Sequence, residues 1–94
     1  MQGDRFEWSE AKAHANLQKH GVSFEIGRRA FDDSASIDEI DDREDYGEDR
    51  FIITGMVDRR LLTVTYTERD GRIRIISARK ATRREQDSYF SQDF

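Results

Sequence analysis

Ninety-four residues with 35% hydrophobic and 38% charged side chains make one domain with a small core. The absence of cysteine excludes disulfides, thiolate metal sites and a cysteine nucleophile, and no apolar run approaches the roughly 20 residues that span a bilayer. The net charge of −4 conceals a division: residues 32–49 carry −9 and residues 50–84 carry +7, so the acidic total hides a basic half.

In chain order, FEWSEAKAHANLQKHG reads as a helix. Ser9 is its N-cap, Glu10 suits its positive end, and Gly21 follows as the C-terminal stop. Ala13, Asn16, Leu17 and His20 share one stripe. SFEIGRRAF predicts a second helix capped by Ser23, with Gly27 costing it about 1 kcal/mol relative to alanine. DDSASIDEIDDREDYGED reads as an acidic loop with a short strand around Ala35 to Ile40. Three strands follow in FIITGMV, LLTVTYT and RIRIISA, separated by Asp58-Arg59 and by the turn signal Asp70-Gly71. TRREQDSYF closes the chain as a helix, with Thr82 and Glu85 forming a capping box. The expected class is α+β: two N-terminal helices, a small antiparallel sheet of three to four strands, and a C-terminal helix, with the helices on one face of the sheet.

Strand parity divides the sheet. A two-residue loop pairs Thr67 with Arg74 and a four-residue loop pairs it with Arg72; either places Phe51, Ile53, Val57, Leu62, Val64, Tyr66, Ile73 and Ile75 on a core face. Ile52, Thr54, Met56, Leu61, Thr63, Thr65, Thr67, Arg72, Arg74 and Ile76 fall on the other. That face is expected to be open, with arginines able to hold a phosphate backbone.

The densest chemistry is the set Arg72, Arg74, Arg79, Lys80, Arg83 and Arg84. Arginine offers a planar fork of donors and stays charged, which suits a phosphate or a phosphorane-like transition state. The plainer reading is a solvated surface neutralised by the acidic stretch. Tyr66 could stack on a base or pack in the core, and its parity favours packing. Tyr89 could act similarly from the last helix. His20 could serve as a general base, or as a cation at a helix C-terminus. His14 points off the apolar stripe. The acidic stretch lacks calcium-loop spacing, so no metal site and no cofactor are expected.

In combination, FEWSEAKAHANLQKHGVSF, DYGEDRFIITG and LLTVTYTERDGRIRIISARKATRRE resemble the BrnT-type toxins of bacterial type II toxin–antitoxin pairs, over about residues 6–89. The segments KHGV, YTER and RIISAR carry the likeness together. The resemblance implies a RelE-like fold and an endoribonuclease that arrests growth by cleaving RNA. It also implies a BrnA-like antitoxin with a ribbon–helix–helix DNA-binding half. That partner would form a 2:2 complex with the toxin, neutralise it and carry it to operator DNA. Trp8, Lys12, Asn16, Lys19, His20, Tyr66, Arg69, Arg74 and Arg79 stand in the family-like motifs.

The reaction expected is metal-independent attack of the ribose 2′-hydroxyl on phosphorus, in a cytoplasmic protein without membrane contact. Arg74 and Arg79 are the candidate cations, with His20, Lys12 or Lys80 as base or acid. A purely positional mechanism without a strong base stays open. Arg69, Arg72, Arg83 and Tyr66 are candidate RNA contacts. The rival readings are a non-catalytic RNA-binding module and an antitoxin-dependent interaction or co-repressor module.

Overall fold

A computed structural model describes residues 5–43, 45 and 47–92. Glu44 and Tyr46, which belong to the acidic stretch, lie outside the described residues. The elements are β1 (Phe6–Glu7), α1 (Glu10–His20), α2 (Phe24–Gly27) running into a 3-10 turn (Arg28–Asp32), β2 (Ile37–Asp41), β3 (Arg50–Val57), β4 (Arg60–Arg69), β5 (Arg72–Lys80) and α3 (Arg83–Phe90). The α+β class agrees with the sequence, but the expected order of elements is matched only in part: a strand precedes α1, the second helix is a single turn that continues as 3-10, and the sheet has five strands in the order β1-β5-β4-β3-β2. The additional strand is β1, two residues that pair in parallel with Ile73 and Arg74. So short a segment has no periodicity to reveal it.

The caps form where expected. Ser9 and Ser23 accept from the backbone of Lys12 and Ile26, and Gly21 adopts φ 72° behind α1. The Thr82–Glu85 capping box is complete. Asp58-Arg59 and Asp70-Gly71 make two-residue turns, closing Val57 against Arg60 and Arg69 against Arg72. All four turn residues have positive φ, as the twist of a tight hairpin requires.

Two glycines mark close packing. A Cβ on Gly27 would stand 2.8 Å from the Ala78 methyl, and one on Gly55 would stand 2.5 Å from the Ala30 carbonyl oxygen. Gly27 therefore weakens α2 as a helix but lets it sit directly on β5. The core between this layer and the sheet contains Val22, Phe24, Leu62, Val64 and Ile75, all almost wholly buried. Of the α1 stripe, Asn16 is buried while Leu17 is 47% exposed, contrary to the expected apolar contact. The helix is pinned by polar bonds. Asn16 donates to the Ala78 and Val22 carbonyls and accepts from the Ala78 N–H. β1 pairs with β5 only at Ile73 and Arg74, and the Asn16 carboxamide satisfies the free edge further along.

The remaining layer corrects the sequence reading. α3 is not with α1 and α2. Its Glu85 accepts from Thr63, which alternates with Val64 and so points away from Gly27 and α2. The sheet face expected to be open is covered at both ends. Thr63 is 1% exposed beneath α3, and Thr67 is 2% exposed where its hydroxyl donates to the Asp49 carbonyl. Among the described residues, no helix is long and apolar enough to cross a membrane.

Candidate functional site

A bulge in the β4–β5 ladder decides where the cations point. Thr67 pairs with Arg74 as expected, and Tyr66 with Ile75, but Thr65 pairs with Ser77 and Thr63 with Arg79. Ile76 is the extra residue. In an unbroken alternation, Arg79 would share the core face with Ile73 and Ile75. The bulge reverses the parity, so Ala78 enters the core and Arg79 joins Arg72 and Arg74 on the outer face. β5 also runs to Lys80, so Arg79 lies within the strand and not in the loop beyond it.

There Arg79 meets the first turn of α3. Its Nη1 donates to Glu85 Oε1 at 2.8 Å and its Nη2 to Oε2 at 3.0 Å. Nη1 also donates to the Lys80 carbonyl at 3.2 Å. Glu85 accepts further from the Thr82 N–H at 2.8 Å and from the Thr63 hydroxyl at 3.0 Å. Thr63 in turn shares a hydrogen bond with Thr54. Burial alone would raise the Glu85 pKa. The Arg79 guanidinium, the Thr82 N–H and the Thr63 hydroxyl outweigh that and hold it at about 2. Glu85 is therefore a carboxylate at neutral pH and a poor proton acceptor.

The arginine has a second edge. A guanidinium carries five N–H donors. Glu85 takes two in end-on fashion and the Lys80 carbonyl takes one. Among the described residues the Nε–H and the outer Nη2–H have no partner, and they lie side by side in a geometry that matches two phosphate oxygens. A cleft of about 340 Å³ opens at this place, lined by Arg79, Glu85, Arg84, Arg43, Glu39 and Asp42 among others.

The other candidates are dispersed. Arg74 and Arg72 reach Glu7, at 3.3 and 3.7 Å. Arg74 is five positions from Arg79 along β5, roughly 16 Å at strand rise, and the two pair with different carboxylates. Arg69 pairs with Glu48 at 3.3 Å and Arg83 with Asp87 at 3.6 Å. Only part of the basic half is neutralised by the acidic stretch, chiefly through Glu48. Glu7, Glu85 and Asp87 neutralise the remainder of these paired arginines. Lys80 ends β5 and is exposed. Lys12 and His20 belong to α1, whose Asn16 is anchored at the core-facing Ala78, so the sheet separates that layer from Arg79.

Tyr66 is a core residue, as its parity predicts. Its ring packs against Phe31 and Phe51, and its hydroxyl donates to Asp38 at 2.6 Å. Burial and the Asp38 carboxylate push its pKa well above the usual phenol range. Tyr89 donates to Asp33, and that bond together with burial raises it to about 12. Both phenols remain protonated at neutral pH. Among the described residues, no three His, Asp or Glu side chains converge where a metal ion could be held.

Sequence reasoning singled out Arg79 as a candidate but not the carboxylate that it pairs with. Glu85 was legible only as a helix cap. Its second role depends on the bulge that brings Arg79 across the sheet.

The model of the family described as the ribonuclease toxin BrnT of type II toxin–antitoxin systems matches residues 8–85. The chain belongs to this family. As a member of the BrnT family it is a ribonuclease toxin of the type II class, a class that pairs each toxin with an antitoxin. The matched span includes Arg79, Glu85 and the bulge at Ile76, whereas Tyr89 and Phe90 lie beyond it. A search of curated proteins finds no matching relative.

Proposed function

We propose that the chain is an endoribonuclease that cleaves RNA by attack of the ribose 2′-hydroxyl on the adjacent phosphorus, with Arg79 as the cation that stabilises the phosphorane. The observation carrying this reading is the division of the Arg79 guanidinium. One edge is fixed by Glu85 and the other is free beside an open cleft. A donor oriented before the reaction costs nothing to reorganise as charge builds on the non-bridging oxygens. Glu85 acts as a positioning residue.

The reaction proceeds without a strong protein base. The 2′-oxygen bonds to phosphorus as its proton passes to water. The bond from phosphorus to the 5′-oxygen breaks, and that oxygen takes a proton from water. The products are a 2′,3′-cyclic phosphate and a 5′-hydroxyl. Glu85 is too acidic to be the base, and Lys12 and His20 stand on the other layer. A divalent metal is not required in this reading. Glu85 is already committed to Arg79, and Glu39 and Asp42 in the cleft wall belong to no group of three described His, Asp or Glu side chains that could hold a metal. Arg69, Arg72, Arg74, Lys80 and Arg83 contribute to RNA attraction from the surface.

The wider assignment is a single cytoplasmic RelE-like domain. It is neutralised by a BrnA-like ribbon–helix–helix antitoxin in a 2:2 complex that reaches operator DNA through the antitoxin. The family supports an antitoxin partner; its type and the stoichiometry are part of the proposal.

The test is product analysis on a short unstructured RNA in EDTA. Cyclic phosphate and 5′-hydroxyl ends support the reading. Cleavage that stops in EDTA and returns only with magnesium or manganese, or that leaves 3′-hydroxyl ends, contradicts it.

A further inference from the structure

The two flanks of α3 are chemically opposite. Glu85 and Tyr89 face the sheet. On one side Arg84 and Ser88 line the cleft described above, where Glu39 and Asp42 are also present. On the other side Gln86 and Phe90 line a second groove of about 380 Å³, together with Leu61, Arg59, Arg60 and Lys80. None of that groove's lining residues is acidic. Among the described residues, Arg59, Arg60 and Lys80 have no ion pair, and the neighbouring Asp58 is taken by Arg29 at 2.8 and 2.9 Å. Phe90 is 65% exposed, with Tyr89 against it edge-on at 5.1 Å between ring centres.

We propose that this groove is the track along which single-stranded RNA approaches Arg79, with phosphates against Arg59, Arg60 and Lys80 and one base stacked on Phe90. The proposal rests on the ribonuclease reading above and adds the path of the substrate. Cations without an ion pair beside an exposed aromatic ring are how proteins hold single strands, because every base has a face to stack and every linkage a charge. The groove also ends at the right place. Lys80 is the residue next to Arg79 and its carbonyl bonds the same guanidinium. The cleft on the other flank holds Arg79 itself but also Glu39 and Asp42, so it takes the scissile phosphate and not a longer run of the polyanion. An acidic peptide would feel the same cations. A docked helix, however, needs a row of exposed apolar anchors, and Phe90 is the one large apolar side chain exposed in the groove, Met56 and Leu61 being half-buried and Ala81 buried.

The test uses a short single-stranded oligonucleotide with 2′-O-methyl sugars, which binds without being cleaved. Its affinity is measured by fluorescence anisotropy over a range of salt. The Arg59→Gln/Arg60→Gln variant is expected to lower the slope of log affinity against log salt by about 1.4. Phe90→Ala is expected to weaken binding roughly 10-fold at unchanged slope. On a cleavable RNA, both should raise KM with kcat preserved and melting temperatures unchanged. Wild-type affinity and slope in both variants would overturn the track, and continued cleavage by those variants would leave the ribonuclease reading standing. Unchanged RNA binding with a weakened antitoxin complex would also overturn it and give the groove to a protein partner. If the wild type binds the oligonucleotide through these residues yet cleaves nothing, the track holds and the cleavage reading fails.

Discussion

Arg79 and Glu85 hold each other through two hydrogen bonds of 2.8 and 3.0 Å between a sheet strand and the first turn of a helix. The pair fixes the arginine and docks the helix together. α3 is short, and further polar ties hold it to the body: Tyr89, which is also buried, to Asp33 and the following Gln92 to the Ala35 carbonyl. A helix attached this way responds to the charge state of its anchors.

Acid should therefore loosen α3. Glu85 has a folded pKa of about 2 against an ordinary 4.5. A depressed carboxylate contributes stability that is present above the ordinary value and is lost as pH falls through the folded value. Melting temperature should decline between about pH 4.5 and about 2 as this contribution disappears. Glu85→Gln should melt lower at neutral pH and show a flatter acid decline. A variant with the wild-type acid profile would mean that the pair does not support the fold.

Asn16 should be a stability residue. Its amide satisfies three buried backbone groups, the Ala78 N–H and the carbonyls of Ala78 and Val22. Asn16→Ala leaves them without partners and should cost about 3 kcal/mol in urea unfolding. A loss under about 0.5 kcal/mol, the level of an ordinary surface change, would contradict this role.

Gly27→Ala should destabilise despite alanine's better helix propensity. The added methyl meets the Ala78 side chain at 2.8 Å, so α2 must lift from the sheet. A melting temperature equal to or above that of the wild type would show that the layer yields without cost.

Much of the fold was legible because its signals are local. Ser9, Ser23, Thr82 and Gly21 mark helix ends through their own side chains or φ values, and Asp70-Gly71 marks a turn. Strand parity correctly assigned Tyr66 to the core and Arg74 to the outer face. It could not be carried past Ile76, because one inserted residue there reverses every later side chain and leaves no mark in composition. The placement of α3 on the outer face was hidden for a related reason. Its sheet-facing residues, Glu85 and Tyr89, are polar or amphipathic and do not read as a buried stripe. The basic set looked like one cluster in sequence, but β5 spreads it over the length of a strand and gives Arg74 and Arg79 different carboxylates.

The most direct measurement is single-turnover cleavage of a short RNA by wild type, Arg79→Lys and Arg79→Ala, with melting temperatures measured alongside. Lysine keeps the charge but cannot present one edge to Glu85 and another to phosphate. Arg79→Lys should cleave roughly 10²-fold more slowly, as for loss of one transition-state donor, while RNA affinity falls far less. Arg79→Ala should lose cleavage and also melt lower, since Glu85 keeps its burial without its cation. An Arg79→Lys protein that cleaves at the wild-type rate, or an Arg79→Ala protein that is folded and fully active, would remove Arg79 from the chemistry.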